Sequence, residues 1–268
     1  MFIHIMIMIK HMQNYKSNYD KFPATYIEDG VLFSGWNNIL DELISKADNM
    51  IICIETYHGV HKDQLINNFK NIPHALFIDS SEYFKSENEV RGMTENFMRD
   101  DALFGYMSNL KIEDYLDNEK VEKARKQIAS SEKSGNIIVF GYGSSLVANP
   151  DILIYADMPR WEIQQRMRKS SVMGMGVDNH QEPFSIQFKR GYFIDWPALD
   201  NYKKRIFKRV DYWLDSVKEN PLMIDRETFF RGIEKTANSP FRVVPFFDPA
   251  PWGGQWMKDV CGLDKSVE

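Results

Sequence analysis

Four short apolar runs, each ending in a polar turn, constrain the fold of this chain more than any other feature. They are residues 50–55 in "MIICIET", residues 74–80 in "HALFIDS", Ile137 to Phe140, and residues 151–157 in "DILIYAD". None alternates polar with apolar positions. Each therefore reads as a strand buried on both faces, the pattern of a parallel sheet. Between them lie stretches with helical spacing. Residues 36–47 place Trp36, Ile39, Leu40, Leu43, Ile44 and Ala47 three and four apart, and 63–70, 87–99, 112–131 and 198–218 follow similar patterns. Residues 159–170 form a basic helix. Strands that alternate with helices predict an α/β fold, with a largely parallel sheet covered on both faces. Ligands of open parallel sheets bind beyond the carboxyl ends of the strands. The turns after Glu55, Asp79, Gly141 and Asp157 therefore converge on one rim.

The first of these turns, "ETYHGVHKDQ", joins a strand to an amphipathic stretch and contains one glycine and one lysine. A complete phosphate loop reads G-x-x-x-x-G-K-[ST]: its backbone N–H groups wrap the phosphates, its lysine reaches their outer oxygens and its hydroxyl holds Mg²⁺. Aligned on Lys62, the chain has Thr56 at the first glycine, His61 at the second and Asp63 at the hydroxyl position. Lys62 alone fits, with Gly59 adding flexibility between. The turn reads as a strand-to-helix connection with altered anion binding. The pair His58 and His61 has no third metal ligand nearby and reads as polar loop side chains. A helix starting after His61 favours an anion through its dipole.

Asp79 ends the second strand in "FIDSSEYF". It suits either a helix N-cap, as do Ser80 and Ser81, or an acid that takes a substrate hydroxyl's proton or orders Mg²⁺. In "YADMPRWEIQQRMR", Arg160, Arg166 and Arg168 can clamp phosphate bidentately, or form a solvated face paired with Glu162. "FKRGYFIDW", residues 188–196, reads as a basic turn beside a buried strand.

The bulk composition excludes several classes. At 268 residues with 43% hydrophobic and 13% aromatic residues, the chain can bury a substantial core. The net charge of −5 leaves no basic excess for phosphates along a duplex, so no nucleic-acid partner is expected. The two cysteines, Cys53 and Cys261, imply no disulfide framework and suit a cytoplasmic setting. The apolar run Phe2 to Ile9 is short of the ~20 residues a membrane helix needs, and no membrane partner is expected.

The succession of strand, loop, Lys62 and helix, then "FIDSSEYF", "VFGYGSSLV" and "DILIYADMPRWEIQQRMR", resembles the uridine kinase and phosphoribulokinase branch of P-loop kinases. The resemblance implies a three-layer P-loop-kinase-like fold. It matches Lys62 to the phosphate lysine, Asp79 to the acid on the substrate side, and Arg166 or Arg168 to lid arginines. A longer resemblance runs from about Ser17 to the end. "SNYDKFPAT", "MTENFMRDDALFGYMSNL", "GVDNHQEPFSIQFKRGYFIDW" and "FRVVPFFDPAPWGGQWMKDVCGLDK" look like the N-terminal region of long class I mannose-6-phosphate isomerase-like proteins of gut bacteria. In that family a following cupin barrel carries the zinc ligands, and those ligands do not occur in this chain. The implied organisation is an extension over residues 1–19, a P-loop-kinase-like domain over 20–240, and a segment over 241–268 like the entry to a cupin isomerase barrel.

The expected function is an accessory module in carbohydrate metabolism. It binds a phosphorylated small molecule through Gly59, His61, Lys62, Arg166 and Arg168, with Asp79 on the acceptor side, or packs on a cupin isomerase domain in cis or in trans. Two alternatives stay open. One is an active sugar or nucleoside kinase using Mg-ATP. The other is a mannose-6-phosphate isomerase, if the chain is a fragment of a longer protein, with zinc only where a downstream cupin exists.

Overall fold

The computed structural model describes residues 24–101, 103–131 and 134–239. The expectations for residues 1–19 and 241–268, and Cys261, lie outside them. Asp29–Phe229 make one compact unit. Residues 24–28 and 230–239 belong to a second, in which Lys235 Nζ donates to the Tyr26 carbonyl at 2.7 Å.

The four apolar runs are strands: β2 (Ile51–Thr56), β3 (Leu76–Asp79), β4 (Ile137–Phe140) and β5 (Ile152–Asp157). With β6 (Tyr212–Asp215) they pair in parallel in the order β3-β4-β2-β5-β6. Two further strands, β7 (Leu222–Asp225) and β1 (Leu32–Ser34), extend the sheet beyond β6 with antiparallel pairing, making seven strands. The molecule is thus α/β, with a mostly parallel sheet flanked by helices.

Helices cover both faces because β2 is apolar on both. Ile52 and Ile54 point to the layer that holds Ile39 and Leu43 of α1 (Trp36–Lys46) and Leu65 and Phe69 of α2 (Lys62–Phe69). Cys53 points the other way. On that side lie Val121 and Ile128 of α5 (Asn118–Ser131), Ile163 of α7 (Arg160–Arg168) and Tyr202 of α9 (Trp196–Ile206). Ile54 is fully buried, and truncating it to alanine would cost about 2–5 kcal/mol. The remaining helices are α3 (Glu87–Met98), α4 (Ile112–Tyr115), α6 (Ser144–Val147), α8 (Phe184–Arg190) and α10 (Arg226–Asn238). Among the described residues, no helix is long and apolar enough to cross a membrane.

Three sequence expectations are corrected. The helix expected over 112–131 breaks at Leu116–Asp117. There Asp117 donates its N–H to the Tyr83 carbonyl at 2.8 Å, and its carboxylate accepts from the N–H of Glu119 at 2.9 Å, capping α5. The helix expected over 198–218 ends at Ile206, and "YWLD" turns into β6. The segment 188–196 is neither a turn nor beside a strand. α8 runs through a five-residue π-helix, Gly191–Asp195, into α9. This buries Lys189 and Arg190: Lys189 Nζ donates to the distant Arg99 and Asp101 carbonyls, and Arg190 faces Asp195, five residues on, and donates to the distant Thr94 Oγ1 at 3.2 Å.

Candidate functional site

Parallel pairing sets the carboxyl ends of β2, β3 and β4 side by side: Phe140 is in register with both Ile54 and Asp79. The chain leaving β2 runs toward β3, while the chain leaving its other neighbour, β5, runs toward β6. The connections diverge between β2 and β5, the favoured ligand position of such sheets. A cleft of about 950 Å³ opens beside it, over the ends of β2, β4 and β3. The loop after β2 and the first turn of α2 line one side, Asp79 and Ser81 another, and the segment 171–178 a third.

Lys62 opens α2. The cap residue, His61, makes no side-chain hydrogen bond to the helix, so the first-turn N–H groups keep the partial positive charge of an uncapped N-terminus. The Lys62 ammonium contacts the Asp79 carboxylate and donates to Ser81 Oγ at 2.8 Å. Asp79 also accepts from the Ser81 N–H at 3.0 Å and from its hydroxyl at 2.7 Å, capping the 3₁₀ turn Ser80–Tyr83. Of the two roles offered for Asp79 by sequence, the cap is present; its carboxylate also faces the lysine. His61 is half-exposed, and burial, with Arg166 beside it, pulls its pKa below the ordinary 6.5.

Gly59, His61, Lys62 and Asp79 thus line one cleft. The two arginines do not. Arg166 is buried, and its guanidinium donates to the Gly59 carbonyl at 2.7 Å, the Val217 carbonyl at 3.2 Å and Glu162 Oε1 at 2.8 Å. It holds the loop from behind. Arg168 is exposed and lies over the Phe184 ring, 3.9 Å from its centroid. Gly59 has φ +87°, and a Cβ there would come within 2.9 Å of Ile163 Cγ1. Close approach of α7 is reason enough for glycine at this position.

His58 is buried with both ring nitrogens engaged. Trp196 Nε1–H donates to Nδ1 at 2.9 Å, and Nε2 lies 3.0 Å from the Met173 carbonyl. It ties the loop after β2 to the segment 171–178, the opposite wall of the cleft. Glu55, one residue before the end of β2, is also buried. It accepts from the N–H groups of Gly143 (2.9 Å) and Ser145 (2.7 Å) and from the hydroxyls of Ser145 (2.8 Å) and Tyr202 (2.9 Å). Burial pushes its carboxyl above the ordinary range, and these hydrogen bonds oppose the rise without cancelling it.

The cleft lining holds Lys62 and Lys85 against Asp63, Asp79, Glu87 and Asp178. An anion entering it competes with Asp79 for Lys62. Sequence reasoning offered Ser81 only as a cap and passed over the roles of Trp196 and the segment 171–178. Only "GMG" at 174–176, two glycines within three residues, hinted at a special backbone, and Gly176 has φ +71°.

Fold and rim together define an α/β domain with a ligand-sized cleft at the carboxyl rim of a mostly parallel sheet. The sequence matches DUF8485, a domain of unknown function, over residues 35–238, and the chain belongs to that family. No curated protein shows significant similarity to it.

Proposed function

We propose that this domain binds a phosphorylated small molecule in the rim cleft, with Lys62 as the cation that meets the phosphate, as an accessory module in carbohydrate metabolism. The observation that carries this reading is the position of Lys62 at the uncapped first turn of α2, over the end of the central strand and facing Asp79 and Ser81. A helix N-terminus and an ammonium together favour an anion. The parallel order β3-β4-β2-β5-β6, with the lysine-bearing loop leaving the central strand, supports a P-loop-kinase-like architecture. The resemblance to mannose-6-phosphate isomerase-like chains puts sugar phosphates first among ligands, with a cupin isomerase domain as partner in cis or in trans. Zinc would belong to that partner.

Calorimetric titration tests this reading with inorganic phosphate and mannose 6-phosphate. Saturable binding that Lys62→Ala abolishes is expected. Equal binding by the wild type and the variant overturns it. A second reading, a small-molecule kinase using Mg-ATP, is favoured by Asp79 facing the lysine, where it could accept an acceptor hydroxyl's proton. Thr56, His61 and Asp63 weigh against it. Production of ADP dependent on a sugar or nucleoside, lost in Lys62→Ala, would establish it.

A further inference from the structure

The same rim carries a second cavity that the phosphate reading does not use. It opens beyond β5 and β6, has a volume of about 650 Å³, and shares no lining residue with the first. One wall is aromatic: Trp213 and Phe229 stack with centroids 4.0 Å apart and planes 14° from parallel. Leu32 and Leu222 continue the apolar lining and remain 59% and 40% exposed. Two cations line the cavity, and each is already matched. Arg160 pairs with Asp200, and Lys203 with Asp157. Asp215, at the end of β6, is different. Its Oδ1 accepts from the Val217 N–H at 2.9 Å, and among the described residues no cation pairs with it. Among the described residues, the buried Trp213 indole N–H has no hydrogen-bond partner. The cavity therefore joins a flat apolar wall to one carboxylate in excess.

We infer that this cavity is a binding site for a small organic cation on a flat apolar body, an arylalkylamine. The ring lies against the Trp213–Phe229 wall and the ammonium meets Asp215. A neutral ring would cover Asp215 without replacing its water, and an aromatic acid would set a second negative charge beside it; both are disfavoured. The ring faces here already attract cations: Lys203 Nζ lies 5.5 Å from the Trp213 centroid and 5.6 Å from that of Tyr57.

The test titrates the whole chain with 2-phenylethylamine and, as the charge-reversed counterpart, 3-phenylpropionate, reading heat and intrinsic tryptophan fluorescence. The amine should bind saturably and the acid should not. Asp215→Asn, on an exposed carboxylate, should weaken the amine by about tenfold, one charge-assisted contact. Leu222→Trp, which fills the mouth, should block it. Lys62→Ala, in the other cleft, should leave amine binding unchanged, so this inference stands or falls apart from the phosphate reading. Equal binding of acid and amine, an Asp215→Asn variant that binds as well as the wild type, or no saturable signal up to about 10 mM would overturn it.

Discussion

Trp196 donates its indole N–H to Nδ1 of His58 at 2.9 Å, joining the start of α9 to the loop after the central strand. An indole N–H can only donate, so Nδ1 must accept, and the ring proton sits on Nε2, aimed at the Met173 carbonyl. One neutral tautomer therefore holds two walls of the cleft together.

This predicts a pH dependence of stability. Burial chiefly, with Arg190 and Arg160 nearby, pulls the His58 pKa below the ordinary 6.5, while Asp195 and the Met173 carbonyl pull the other way. In the unfolded chain the imidazole takes a proton at about 6.5; in the folded chain it does so only at lower pH. The unfolded state thus binds more protons in that window, and the contribution of His58, full above pH 6.5, is lost as pH falls through the folded pKa. His58→Gln should cost about 1–3 kcal/mol at pH 7.5. In thermal melts the gap between wild type and variant should narrow steadily toward pH 5. A gap independent of pH would rule the tautomer argument out.

The two arginines expected to clamp phosphate should separate cleanly on substitution. Arg166→Met leaves the Gly59 and Val217 carbonyls without their donor, at about 1–3 kcal/mol for each buried acceptor left unmet. Arg168→Ala removes an exposed side chain and should stay within about 0.5 kcal/mol of the wild type. Urea midpoints measure both. If Arg166→Met kept its midpoint but lost phosphate binding, the side chain would be a ligand contact and not a brace.

The sequence distinguished strands buried on both faces but not those at the sheet's antiparallel side. β2 to β5 were legible because an unbroken apolar run that ends in a polar turn has few other homes. β1, β7 and β6 were not. "LFS" and "LMID" are short, and Tyr212, Trp213 and Leu214 continue an amphipathic pattern that no glycine or proline interrupts. Lys62 and Asp79 were legible for the same reason as their strands, since the ends of parallel neighbours must share a rim. The fates of Arg166 and Arg168 were not. They lie two positions apart on one basic helix, and only the packing of α7 on the loop decides which is buried. Lys189 and Arg190 misled because their partners at 94, 99 and 101 come together with them only in the folded chain.

Gly59 gives a third prediction. Its φ of +87° disfavours any side chain, and a Cβ would press on Ile163. Gly59→Ala should cost on the order of 1–3 kcal/mol from backbone strain, with the clash in addition. Combining it with Ile163→Ala removes the clash but not the strain. The double-mutant cycle should therefore show a favourable coupling, with the pair less destabilised than the sum of the single variants. Strict additivity in denaturant unfolding would mean that Ile163 simply moves aside.

Asp79 and Lys62 set up the most direct test of how the cleft treats an anion. In the unliganded protein the carboxylate occupies the ammonium, and Ser81 holds both. An incoming phosphate must displace that contact or share it. Asp79→Asn keeps the shape and the bond from the Ser81 N–H while removing the competing charge. Inorganic phosphate should then bind about two- to fivefold tighter, the scale of a half-exposed ion pair worth up to about 1 kcal/mol. Any phosphoryl-transfer activity that relied on Asp79 as a base should fall in the same variant. The two readings of the cleft therefore share the tighter binding and differ in turnover: none to lose, or turnover abolished. Calorimetry on the variant, paired with an ADP-release assay, separates them, and weaker phosphate binding in Asp79→Asn would show that the carboxylate positions Lys62 and does not compete for it.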